Sequence, residues 1–179
     1  MKSLRKLLLF STVALFLIGC SDFSEGASDD TLLLADTKVE TSDNKKNKEP
    51  ISINELEQRI FELVNQYRIN NDLSPLELNE EVSKIAREHS ENMAEGNVAW
   101  GHNGYSERAE MVSSIIAWEE LGENLARNNF SSPALKALDE WSESHLHEEN
   151  MVGSFNMAGV GVAISSDGEY FFTQIFVRD

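Results

Sequence analysis

Four side chains able to do chemistry stand out by their settings: His102, Glu123, Ser144 and His147. His102 lies between Gly101 and Asn103, outside any periodic apolar run, and reads as a loop histidine rather than core filling. Glu123 follows Gly122, a residue that lets backbone approach a neighbour closely. A carboxylate there can hold an imidazole in one tautomer and, where the ring stays hydrated and metal-free, raise its pKa. Two imidazoles and a carboxylate can hold a divalent cation with open coordination positions. Ser144, three residues before His147, makes a serine–histidine pair a further option. These residues come from separate segments, so spacing alone does not bring them together. The chain has no Gly-x-Ser-x-Gly elbow and no His-Glu-x-x-His helix.

The residues sit within a longer series of short motifs. In order these are Asn65-Gln66-Tyr67-Arg68, Ala86-Arg87-Glu88-His89-Ser90-Glu91-Asn92-Met93-Ala94, Gly101-His102-Asn103 and Glu107-Arg108. Then follow Leu121-Gly122-Glu123-Asn124-Leu125-Ala126, Trp141-Ser142-Glu143-Ser144-His145-Leu146-His147 and Val160-Gly161-Val162-Ala163. Their order and spacing, from about residue 54 to residue 177, resemble the family of cysteine-rich secretory proteins, antigen 5 and pathogenesis-related type 1 proteins, the CAP or SCP domain. The resemblance implies an α+β fold, a three-layer α-β-α sandwich with a central antiparallel sheet and a cleft on one face. It also implies that His102, Glu123 and His147 converge on that cleft, with Ser144 nearby, and that these three are the candidate metal ligands. Trp141, Ser144, His147 and Asn150 meet the Trp-x-x-Ser-x-x-His-x-x-Asn pattern of bacterial relatives, which favours His147 over His145. The chain departs from the family twice. Ser144 stands where eukaryotic clefts carry a second glutamate, and Glu148 stands where bacterial relatives often have a basic residue, which makes the rim more acidic.

Helices and a hairpin must position these groups. Asn54 with Glu57 makes a capping-box signature for a first helix, on which Leu56, Ile60, Leu63, Val64 and Tyr67 recur at helical spacing until Asn70-Asn71-Asp72. Asn79 caps a second, with Val82, Ile85, Ala86, His89 and Met93 on one stripe; His89 reads as a core histidine. Gly96-Asn97 ends that helix. Ser132-Pro133 starts another, with Leu135, Leu138 and Trp141 as its expected buried face. Gly159 to Ser165 and Tyr170 to Val177 read as strands around the Asp167-Gly168 turn. Glu107-Arg108 reads as a neighbouring ion pair near the cleft. Helices first and an antiparallel hairpin last argue α+β.

Residues 1–19 read as a lipoprotein signal peptide: Lys2, Arg5 and Lys6, an apolar run from Leu7 to Ile18, then the lipobox Leu17-Ile18-Gly19-Cys20. Cys20, the single cysteine, is the expected lipidation site, so no intramolecular disulfide can form. Its acyl chains, at about 0.8 kcal/mol per buried CH₂, give a stable membrane anchor. Residues 20–50 are expected to be the lipidated cysteine and a flexible acidic tether, and residues 51–179 the folded domain. Fifteen Lys and Arg face 31 Asp and Glu, a net charge of −16, and loss of the leader removes only basic residues. Such a surface repels phosphate backbones, which argues against nucleic acid as a partner. The expectation is a monomeric lipoprotein of the bacterial cell envelope, on the outer membrane or the outer face of the plasma membrane. It requires no cofactor, but its cleft can take Zn²⁺ or another divalent cation, or a small-molecule, lipid or peptide ligand. The competing expectation is a metal-dependent hydrolase of envelope peptides or polymers.

Overall fold

The computed structural model describes residues 51–179. The expected signal peptide, Cys20 and the expected tether lie outside the described residues. The elements run α1 (Ile53–Asn70), β1 (Glu77–Leu78), α2 (Glu80–Ala94), α3 (Tyr105–Ser113), β2 (Glu120–Asn128), α4 (Pro133–Glu143), α5 (His145–Val152), β3 (Met157–Ile164) and β4 (Tyr170–Arg178). The strand order is β1-β3-β4-β2. β4 is antiparallel to both β2 and β3, and the two-residue β1 adds a short parallel pairing to β3. The expected α+β sandwich is present, with β2 as an outer strand.

Strand alternation sorts the helices into two layers. Phe172 and Phe176 of β4 pack with Leu56, Ile60 and Val64 of α1, Trp141 of α4 and Met151 of α5. Ile175 and Val177 point the other way, onto Val82, Ile85 and Ala86 of α2 and Val112 of α3. Each large apolar side chain buried in this way contributes about 1.5–3 kcal/mol. Gly159 and Gly161 let α2 lie directly against β3. A Cβ on Gly161 would stand 2.0 Å from the Arg87 nitrogen, and one on Gly159 would stand 2.4 Å from that of Ser83.

Local signals hold with two corrections. Asn79 caps α2 through Glu81 and Val82, and its expected stripe is buried. The capping box of α1, however, is Ser52 with Glu55, not Asn54 with Glu57. Glu57 instead turns inward to Arg87 and to the Val162 N–H. On α4 the buried face is Pro133, Ala134, Ala137 and Trp141, while Leu135 is 48% exposed. Small side chains at that face allow α4 to approach α1 and the sheet.

The Asn65-to-Arg68 motif is a structural staple. Asn65 exchanges two hydrogen bonds with the Leu76 backbone. Buried Arg68 donates to the carbonyls of Ser74, Met151, Gly153 and Phe155. It thereby ties the end of α5 to α1, and a cation suits the carbonyl-rich end of a helix. Tyr67 donates to Glu148 on α5 at 2.7 Å, so Glu148 is engaged by α1 rather than left free at the cleft rim.

Candidate functional site: a carboxylate-held imidazole at the outer strand

β2 carries Glu123 on the α2/α3 side of the sheet, opposite Ile175 of β4. The carbonyls of β2 residues 121, 123 and 125 each accept a side-chain donor from a different helix. Tyr105 of α3 donates to Leu121, Asn150 of α5 to Glu123, and Trp141 of α4 to Leu125. Three helices are thus fixed to one strand. Gly122 is required for this: a Cβ there would stand 2.7 Å from Asn150 Oδ1 and 3.1 Å from the Phe155 ring.

The Glu123 side chain is 2% exposed and meets a buried guanidinium. Arg108 donates from Nε to Oε2 at 2.7 Å and from Nη2 to Oε1 at 2.6 Å. His102 Nδ1 lies 2.8 Å from the same Oε1, while the ring as a whole is 51% exposed. A carboxylate can only accept, so His102 carries its proton on Nδ1. In the neutral ring the lone pair is then on Nε2, away from Glu123.

His89 completes the buried network. Its Nδ1 lies 3.2 Å from Arg108 Nη1, and its Nε2 lies 3.1 Å from the Gly101 carbonyl. Arginine can only donate, so His89 accepts at Nδ1 and donates from Nε2, which makes it a neutral ring. Burial pushes its pKa down, and the Arg108 charge adds to that. Arg108 Nη1 also donates to the Asn103 carbonyl at 2.9 Å. The loop that presents His102 is therefore clamped on both sides, at Gly101 and at Asn103. The expected core histidine is core, and it also holds the site. Arg108 pairs with Glu123 and not with its sequence neighbour Glu107. That role was not legible in the chain, because its partner lies on another element.

His147 arrives from α5. Asn124 on β2 donates to the His147 carbonyl at 2.9 Å and accepts from Asn150 at 2.8 Å, which seats this turn of α5. His147 Nδ1 is buried with no hydrogen-bond partner among the described residues. Burial pushes its pKa down, and the charge of His102 pushes the same way. The rise expected of a hydrated ring beside Glu123 does not apply at His147, because its ring is desolvated. Ser144 lies at the junction of α4 and α5 with no side-chain cap hydrogen bond. Among the described residues its hydroxyl makes no hydrogen bond to His147.

Both Glu123 oxygens accept hydrogen bonds, Oε2 from Arg108 and Oε1 from Arg108 and His102. Among the described residues no three or more His, Cys, Asp or Glu side chains are grouped to hold a metal ion. Two imidazoles remain: His102, with its free nitrogen set by a carboxylate, and His147, with an unpartnered buried nitrogen.

An α-β-α sandwich whose outer strand gathers a histidine, a glutamate and a second histidine defines the class. The chain belongs to the CAP family, the cysteine-rich secretory protein family, whose model matches residues 61–176. It is 31% identical over 127 residues to the uncharacterized membrane protein YlbC of Bacillus subtilis (strain 168), covering 68% of this chain and 34% of that one. It is 30% identical over 131 residues to the uncharacterized protein YkwD of the same organism, covering 72% and 49%. The chain thus spans between a third and a half of the length of these relatives. An extracellular protein containing a SCP domain from Bacillus anthracis str. Ames superposes with a TM-score of 0.60 at 26% identity, over 73% of this chain and 45% of that one.

Proposed function

We propose that this protein is an envelope-anchored, extracytoplasmic binding module. Its cleft would hold a divalent cation, Zn²⁺ foremost, between His102 and His147, and would take a small-molecule, lipid or peptide ligand there. The observation that carries this reading is the His102–Glu123–Arg108 chain. A buried carboxylate, itself held by a buried cation, binds one imidazole through Nδ1 and leaves Nε2 as its nitrogen not bonded to Glu123. A histidine whose other nitrogen donates to a carboxylate is a recurrent metal-ligand arrangement. The depressed pKa of His147 supports the same reading, since a metal requires the neutral ring. When bound, the cation would supply Lewis acidity and exchangeable coordination positions.

The location reading rests on the lipobox at Cys20 and on the relatives, one named a membrane protein and another an extracellular one. Among the described residues no helix is long and apolar enough to cross a membrane. Cys20→Ser should move the protein from the membrane to the soluble fraction, and unchanged membrane retention with unchanged processing would refute the anchor.

Calorimetric titration of the purified protein with Zn²⁺ tests the cleft. One site is expected, lost in both His102→Ala and His147→Ala and retained in His145→Ala. Failure of the protein to bind Zn²⁺, or binding that survives both substitutions, would refute it. The oriented imidazole also suits a base in a metal-dependent hydrolase of envelope peptides. The absent Ser144–His147 hydrogen bond weighs against a serine nucleophile in such an enzyme, and peptide cleavage abolished by chelation would establish a metal-dependent one.

A further inference from the structure

Asn103 is the one asparagine in the whole chain that is followed by glycine. It is exposed, as is Gly104, and the pair forms the end of the loop that presents His102. Gly104 adopts φ 78°, and a Cβ at that position would meet only the outer ends of the Arg108 and Glu107 side chains, at 3.3 and 3.9 Å. The Gly104 nitrogen therefore has no side chain of its own shielding it.

We propose that Asn103 is a site of spontaneous deamidation, converted to aspartate and isoaspartate through a cyclic imide formed with Gly104. The Gly104 backbone nitrogen loses its proton to solvent base and attacks Cγ of Asn103. The N–Cγ bond forms, the Cγ–Nδ2 bond breaks, and ammonia leaves after taking up a proton. Water then adds to either carbonyl of the ring. Cleavage of the new N–Cγ bond gives aspartate, and cleavage of the original backbone C–N bond gives isoaspartate. The net change is gain of water and loss of ammonia, with no oxidant or reductant.

The fold promotes the first step. The attacking nitrogen belongs to the peptide whose carbonyl, Asn103 O, accepts from the Arg108 guanidinium at 2.9 Å. A cationic donor on that oxygen draws electron density out of the amide and stabilises its deprotonated form. Arg108 cannot drift away, because Glu123 holds it through two bonds and His89 accepts a third. The product is also accommodated: the new carboxylate lies just before the N-terminus of the nine-residue α3, where negative charge is favoured. Asp167-Gly168, the one aspartate in the chain followed by glycine, is a built-in contrast. The Ser165 hydroxyl holds its carboxyl below the usual range and so keeps it ionised, a poor electrophile.

The consequence is a cleft that changes with age. An older molecule carries an additional negative charge and, in the isoaspartate form, also a backbone one methylene longer, immediately beside His102. This modification does not depend on the metal reading above, and either can fail alone.

Peptide mapping by mass spectrometry tests it on the full chain, incubated at neutral pH and sampled over weeks, once folded and once in denaturant. Aspartate and isoaspartate at position 103 should accumulate ahead of change at any other asparagine, with the folded chain at least matching the denatured one. Asn103→Gln should abolish the signal. A folded chain at least tenfold slower than the denatured chain, or intact at Asn103, would overturn the proposal, since the fold would then protect the site rather than activate it.

Discussion

Two carboxylate–arginine pairs stand at opposite edges of the sheet, one by β3 and one by β2, and their third partners differ. Glu57 on α1 takes two bonds from Arg87 on α2, at 2.8 and 2.7 Å, and spends its remaining capacity on the backbone N–H of Val162 in β3. Together with Ser83, which accepts from Val160, it covers the open edge that β3 presents beyond the short β1. Glu123 takes two bonds from Arg108 and spends its remaining capacity on an imidazole that is half exposed. The chemistry of the pairs is the same. One ends in backbone and closes a sheet edge; the other ends in a titratable ring facing solvent. A buried ion pair by itself is thus no sign of function, and what it holds in place decides the matter.

The largest expected effect comes from breaking the second pair. Glu123→Ala leaves Arg108 buried without its counter-charge, and the loss should be about 3–5 kcal/mol in chemical denaturation. Glu57→Ala should cost less, about 2–3 kcal/mol, because Arg87 is nearer solvent and can rehydrate. Equal losses, or a greater one at Glu57, would undo the ranking of the two sites.

A pH effect comes next. His89 and His147 both have pKa values below the ordinary histidine value, chiefly through burial. The unfolded chain therefore binds more protons than the folded one between their folded values and about pH 6.5. Their contribution is complete above that pH and is lost as pH falls toward the folded values. The melting temperature should drop on acidification below about pH 6.5, and His147→Phe should flatten part of the drop. A rise in stability on acidification through this range would contradict burial as the governing cause.

The smallest effect belongs to His102. Its ring is half exposed, so His102→Ala should change stability by under about 1 kcal/mol while removing Zn²⁺ binding. A large loss of stability would make His102 a structural tie, and the contrast between the two pairs would collapse.

Local structure was legible wherever a single element decided it. The apolar stripe of α2, its Asn79 cap and the β3–β4 hairpin all follow from periodicity and turn chemistry within a few residues. The cap of α1 shows where that reading stops. Ser52-x-x-Glu55 and Asn54-x-x-Glu57 both satisfy the capping pattern, and only Arg87, thirty residues on, draws Glu57 away from it. The resemblance to the family located His102, Glu123 and His147, and the structure joins the first two directly. It brings in His147 from the other layer, beside the same strand.

From its own residues and family motifs the sequence determined the α+β class, the helical stripes and the closing hairpin, and it proposed His102, Glu123 and His147 as the site. Tertiary structure alone decided that Glu123 is bonded through both oxygens, to Arg108 and His102, and that Arg108 answers to Glu123 rather than to Glu107. It also decided that burial lowers the pKa of His147. The physical reason is common to all three. Each depends on desolvation and on bonds between segments distant in sequence, and neither burial nor a partner's direction is encoded in any one stretch of the chain.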